Sequence, residues 1–198
     1  GGTGPAEMRM LTSRDGLSWR AQLGGPLIDT DGLGGEAGYF CAAGLVGLRS
    51  GEVSLLMTPA RRTQHDFTSP ATARPSQPNR AYYALTWRQD GLMSLEAETI
   101  GECLTRPFTF DGEQLRINAS TWAGGDLRFE LLDASGHEGA QARAVQGRGF
   151  ADCDPVVGDH LDRTVTWGGQ SDVSAWSGRP VRLRIELTRA RLHALHFE

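Results

Sequence analysis

Lysine is missing from this chain: all 20 basic residues among its 198 are arginines. That excludes any mechanism built on a lysine nucleophile or Schiff base, and codon bias towards GC is the plain explanation. Cysteine is scarce. Cys41, Cys103 and Cys153 are an odd number, far apart and without a Cys-x-x-Cys pair, so neither a zinc site nor a disulfide framework is expected. At most one disulfide can form, and reduced, partly buried thiols are the expectation. No segment approaches the ~18 consecutive apolar residues of a membrane helix. Positive charge is not in excess either: the net charge of −4 argues against a nucleic-acid surface. The first residues, Gly1 onward, have neither the initiator methionine nor the basic and apolar regions of a signal peptide. They read as the start of a fragment or of a cut chain.

What is abundant is glycine, 26 residues, with nine prolines, and a side-chain alternation of period two. In Val181–Leu187 the residues Val181, Leu183, Ile185 and Leu187 face one way while Arg182, Arg184 and Glu186 face the other. That pattern describes a half-buried antiparallel strand. Leu115–Asn118 and Leu127–Leu131 follow the same rule, and strands are also expected over Leu161–Trp167 and Arg191–Phe197. Turn signals stand between them at Asp111-Gly112, Gly124-Gly125, Ser135-Gly136, Gly168-Gly169 and Ser177-Gly178. Strands at this spacing predict an all-β fold, with an antiparallel, jelly-roll-like β-sandwich over 92–198.

Residues 1–91 differ. Strands are expected over Glu7–Leu11, Gly38–Ala43, Val53–Met57 and Ala81–Arg88, separated by long loops, above all Thr58–Arg80 with its four prolines. Four strands amount to one blade of a β-propeller or a little more. A lone blade cannot cover both faces of its sheet, so this part is expected to need the sandwich or further blades against it.

Ser13-Arg-Asp-Gly-Leu-Ser-Trp19 is a distinctive string: Asp-Gly makes a tight turn, Ser13 and Asp15 can bond turn amides, and Trp19 covers the hairpin. It resembles the SxDGxxW turn of five-bladed propeller glycoside hydrolases of the arabinanase and fructosidase kind. Further strings follow in order: Leu85–Leu95, Leu104–Gly112, Leu115–Asn118, Asp152-Cys-Asp-Pro155, Gly158-Asp159, Val165–Gly168 and Gly178–Arg184. Together they resemble the carboxyl-terminal region of bacterial proteins that join a glycosidase-like five-bladed propeller to a terminal β-sandwich. Leu92 stands where that pattern usually has an aromatic, and Trp122 where it has small residues. The resemblance implies a closing partial blade at 1–91, a bacterial source that is cytoplasmic or secreted, and as partners a carbohydrate and the missing propeller blades or a partner chain. Neither nucleic acid nor membrane is implied.

Glycoside hydrolysis needs two carboxyl groups flanking the scissile bond. In the resembled proteins these come from early blades, so no catalytic residue is assigned in this chain, and Asp15 is read as a turn residue. The candidates for carbohydrate binding are Trp122, in a loop-like Ser-Thr-Trp-Ala-Gly-Gly string, and Trp176, since an indole offers a flat apolar face to a sugar ring; packing over a sheet end is the competing reading. Trp87 and Trp167 are expected in the core. For a metal the candidates are His65, which falls where the resembled propellers carry a last-blade histidine, and Asp152, Asp154 and Asp159, with Asp162 beside them. Four carboxylates can hold Ca2+, but their spacing matches no EF-hand and Asp-Pro and Gly-Asp also make turns, so no cofactor is expected. His193 and His196 make a poor metal pair on a strand, and His137 and His160 adjoin turns. The reading reached is a non-catalytic part of a glycoside-hydrolase-like protein. A stand-alone carbohydrate-binding module and a non-catalytic interaction domain are the alternatives.

Overall fold

The computed structural model describes residues 8–13, 15–21, 25–28, 38–49, 51–60, 82–136 and 142–198. His65, the Arg61-Arg62 pair, most of Thr58–Arg80 and His137 lie outside the described residues. Among the described residues the fold is all-β, built of antiparallel sheets, with a single 3-10 turn at Ser174–Trp176 and no α-helix. No helix among them is long and apolar enough to cross a membrane. The chain divides into two units, Gly1–Trp87 and Arg88–Glu198.

In the first unit, β1 (Leu11–Ser13) and β2 (Trp19–Ala21) form a hairpin. Its turn is the one the sequence predicts. Asp15 Oδ1 accepts the amides of Leu17 (2.8 Å) and Ser18 (2.7 Å) and the Ser13 hydroxyl (2.9 Å), while Ser13 Oγ accepts the Gly16 amide at 2.8 Å. Gly16 has φ +73, a left-handed conformation that glycine adopts without a Cβ penalty. The Trp19 indole N–H closes the turn on the Gly16 carbonyl at 3.2 Å. These donors hold the Asp15 carboxyl far below the usual carboxylate range.

A second sheet contains β3 (Gly38–Cys41), β4 (Val46–Arg49), β5 (Glu52–Ala60) and β6 (Tyr83–Arg88). The other three all pair with β5, so the order is not a simple meander. Its buried side chains among the described residues are few: Tyr39, Met57 and Ser54, the last with its hydroxyl 2.6 Å from that of Thr86. Large apolar side chains remain exposed, among them Leu17, Trp19, Leu45 and Leu56.

The second unit is one sheet in the order β10-β8-β11-β7, from Asp159–Thr164, Leu115–Asp133, Val181–Phe197 and Leu95–Leu104, with β9 (Arg143–Ala144) added to β8. The alternation seen in the sequence sets its inner face. Leu127, Phe129 and Leu131 of β8 lie opposite Leu187, Ile185 and Leu183 of β11, and with Leu115, Ile117 and Val181 they are essentially buried in one cluster. Each such side chain contributes about 1.5–3 kcal/mol on leaving water. Residues from the connections cover this face: Phe108, Phe110, Val145, Val156, Val165 and Trp167 join the same cluster. Trp167, 2% exposed, gives its indole N–H to the Phe129 carbonyl at 2.8 Å. The hairpin turn Gly168-Gly169 has φ +55 and +77, the double left-handed turn that a two-residue loop requires.

Two expectations are corrected here. Gly124-Gly125 is no turn but lies inside β8, and the two strands expected at 181–187 and 191–197 are one strand, β11. The physical reason is a bend that runs across three strands. Thr188 pairs with Asp126 and Ala190 with Thr121, so four residues of β8 (122–125) face Arg189 alone. Opposite, β7 skips from Ala97 to Ile100. Arg189 adopts φ +45 and Gly124 φ +74, conformations that turn the strand path without ending the ladder.

Candidate functional site

The bend leaves Trp122 among the four β8 residues that face Arg189 alone. The residues that follow in register form a row on the outer face: Asp159 of β10 opposite Ser120 of β8, Ser120 opposite Arg191 of β11, and Arg191 opposite Glu96 of β7. Their strand neighbours Ala119 and Leu192 are buried on the other face, as period-two alternation demands.

Arg191 organises one half of the row. Its Nε and terminal nitrogen donate to the two Glu96 oxygens at 2.8 and 3.2 Å, and its guanidinium lies 4.9 Å from the centre of the Trp122 ring. The indole, 38% exposed, is thus held on one side by a stacked cation. The hydrogen bond from Arg191 lowers the Glu96 carboxyl below its usual range and raises the guanidinium in return.

Arg88 organises the other half. It donates at 2.5 Å to Asn118 Oδ1, to Asp159 Oδ1 and to the His160 carbonyl. Asn118 returns a bond to the Gln89 carbonyl at 2.8 Å. Between the halves, Ser120 Oγ and His193 Nε2 lie 3.3 Å apart, and His193 Nδ1 is buried without a hydrogen-bond partner. Burial is the first cause that pushes the imidazole below its ordinary range, with the cations Arg88 and Arg191 adding to it and Asp159 and Glu96 opposing. Both burial and the neighbouring cations thus favour the neutral imidazole. Beside it opens a trough of about 390 Å3, lined by Met93, Leu95, Leu192 and Leu195.

The row carries two carboxylates, but not as an acid pair. Glu96 and Asp159 sit on the two outer strands, three interstrand spacings or about 14 Å apart along the row. Glycosidase carboxyl pairs stand about 5–9.5 Å apart. Each is also tied to its own arginine.

The other sequence candidates lie elsewhere. Trp176, in the 3-10 turn, packs half-buried against the core cluster with Arg179 5.4 Å from its ring centre. Asp152 accepts the Gly149 amide, Asp154 accepts the Thr166 hydroxyl at 2.6 Å and the Gly169 amide at 2.8 Å, and Asp162 pairs with Arg116. Among the described residues no three His, Cys, Asp or Glu side chains converge as metal ligands. His196 lies near Glu198, and His160 meets the Val157 carbonyl. The three cysteines are free, and only Cys153 is fully buried; burial, before the opposing bond from the Phe129 amide, pushes its thiol up to about 11.

Sequence reasoning found Trp122 but not its company. Arg191 and Glu96 are joined by strand register alone, and nothing local marks either. Comparison with protein-family models, curated proteins and solved structures gives no match for this chain.

Proposed function

We propose that this chain is the carboxyl-terminal part of a glycoside-hydrolase-like, carbohydrate-active protein of the five-bladed-propeller kind. In this reading the first unit belongs to a closing blade. The second is a jelly-roll-like β-sandwich that serves as a non-catalytic, sugar-contacting accessory, and carbohydrate is its ligand.

One observation carries the sugar-contacting role: Trp122, in the four-residue bulge and partly exposed, beside an ion pair that offers donors and acceptors together. An apolar ring with polar groups at its rim suits a sugar, whose C–H face stacks while its hydroxyls bond. Trp176 is the secondary candidate, since its ring is largely engaged with the core. The connections that cover the inner face of the sheet support the sandwich reading. The four strands, the Ser13–Trp19 turn and the small number of buried side chains in the first unit support the blade reading. The separation of Glu96 from Asp159, each paired with an arginine, argues against these two as a glycosidase acid pair.

The test is oligosaccharide binding by the intact chain. Trp122→Ala is expected to weaken it at least tenfold at unchanged melting temperature, because loss of a stacking aromatic removes both area and orientation. Unchanged affinity in Trp122→Ala, or aryl-glycoside hydrolysis by the purified chain, would refute this reading. A stand-alone carbohydrate-binding module is the second reading, favoured by the second unit having a closed core of its own.

A further inference from the structure

Trp122 is one point on a line of side chains that crosses the whole sheet, and the line has three properties that select a ligand. The first is charge. Glu96 offsets Arg191 and Asp159 offsets Arg88, so the row shows guanidinium donors and carboxylate acceptors side by side without a net sign. An anionic ligand would have to displace a carboxylate from its arginine. A hydroxyl, donor and acceptor at once, can bond to either partner without breaking the pair.

The second property is spacing. Asp159, Ser120, Arg191 and Glu96 are successive register partners, so they repeat at the interstrand distance of about 4.8 Å. An extended chain of pyranose rings repeats at close to the same interval. The third is apolar surface. Trp122 stands over Arg191 and is partly exposed, so its ring provides a face for sugar C–H groups.

Resting on the sugar-contacting reading above, we propose that the ligand is a linear, uncharged oligosaccharide laid across the strands, at right angles to their direction. One ring stacks at Trp122. Its neighbours reach Glu96 on one side and Ser120 and Asp159 on the other, a span of about three rings at one per interstrand interval.

Calorimetric titration of the intact chain tests this with β-1,4-linked xylose and glucose oligomers as uncharged probes and galacturonate oligomers as charged ones. Affinity for one uncharged series is expected to rise about tenfold from disaccharide to trisaccharide and then level off at hexasaccharide. Ser120→Ala and Glu96→Gln are each expected to weaken trisaccharide binding about fivefold, the loss of one or two net hydrogen bonds. Disaccharide binding should change less than about twofold, and melting temperatures should hold. Trp122-dependent binding that is equal for disaccharide and hexasaccharide would overturn the across-strand arrangement while leaving the sugar-contacting role standing. So would a preference for galacturonate. Trp122-independent binding, or no binding to any probe, would overturn both.

Discussion

Gly124 and Gly125 stand side by side in the bend, and replacing each by alanine separates two physical reasons for glycine. At Gly125 the obstacle is space. An added Cβ would lie 2.3 Å from the Arg189 carbonyl oxygen and 2.5 Å from that of Thr188. Both are backbone atoms of the paired strand and cannot rotate away, so the ladder itself must shift. Overpacking of this kind costs about 1–3 kcal/mol, and with two carbonyls struck the upper end, ~3 kcal/mol, is expected. At Gly124 there is nothing within 4 Å of the added atom, but φ is +74. Only the left-handed backbone is penalised, at ~1 kcal/mol. Urea unfolding followed through Trp167, buried in the core of the second unit, reads both. With a slope of about 1–3 kcal/mol per molar for a domain of this size, Gly125→Ala should lower the midpoint by ~1 M or more and Gly124→Ala by about a third as much. Gly124→Asn should recover part of the smaller loss, because asparagine tolerates the left-handed region. A midpoint for Gly125→Ala at or above that of Gly124→Ala would refute the reasoning, since the bend would then not depend on close approach of the two strands.

Arg88→Ala should cost about 1–3 kcal/mol in the same assay, because it orphans the acceptor of Asn118, which is 5% exposed. Arg88→Lys should recover little, one ammonium being unable to meet three acceptors in a fork; full stability in the alanine variant would contradict this. His193 sets a pH dependence. Its folded-state value lies below the unfolded one, so its contribution is complete above the unfolded pKa near 6.5 and is lost as pH falls from there through the folded value. His193→Gln should flatten the stability profile of the second unit in that window, and an unchanged profile would show that another group is responsible. Among the thiols, Cys41 is exposed and Cys153 is buried with its pKa pushed up to about 11. Iodoacetamide at pH 8 followed by peptide mass mapping should label Cys41 in the native chain and Cys153 only after denaturation.

The all-β character was legible because alternation is a local property. Leu183 and Arg184 differ in polarity at adjacent positions, and a strand sends adjacent side chains to opposite faces. The Ser13–Trp19 turn was legible for the same reason: its donors and acceptors lie within a few residues of one another. Gly124-Gly125 misled because glycine marks a left-handed φ without saying whether the chain reverses there. A turn and a bulge ask for the same residue. What separates them is the partner strand, and Arg189 lies 64 positions further on.

The amino-acid order by itself therefore determined the all-β character, which faces of β8 and β11 turn inward, and that an indole stands at position 122; β4 and β7 carry no alternation clear enough to have been expected. Only the tertiary structure decided that β8 and β11 run unbroken through a bend and that Arg191, Glu96, Ser120, His193 and Asp159 share one outer row. Side-chain polarity is written residue by residue, whereas register is set by the summed packing of whole strands, and a site assembled across four of them has no local signature.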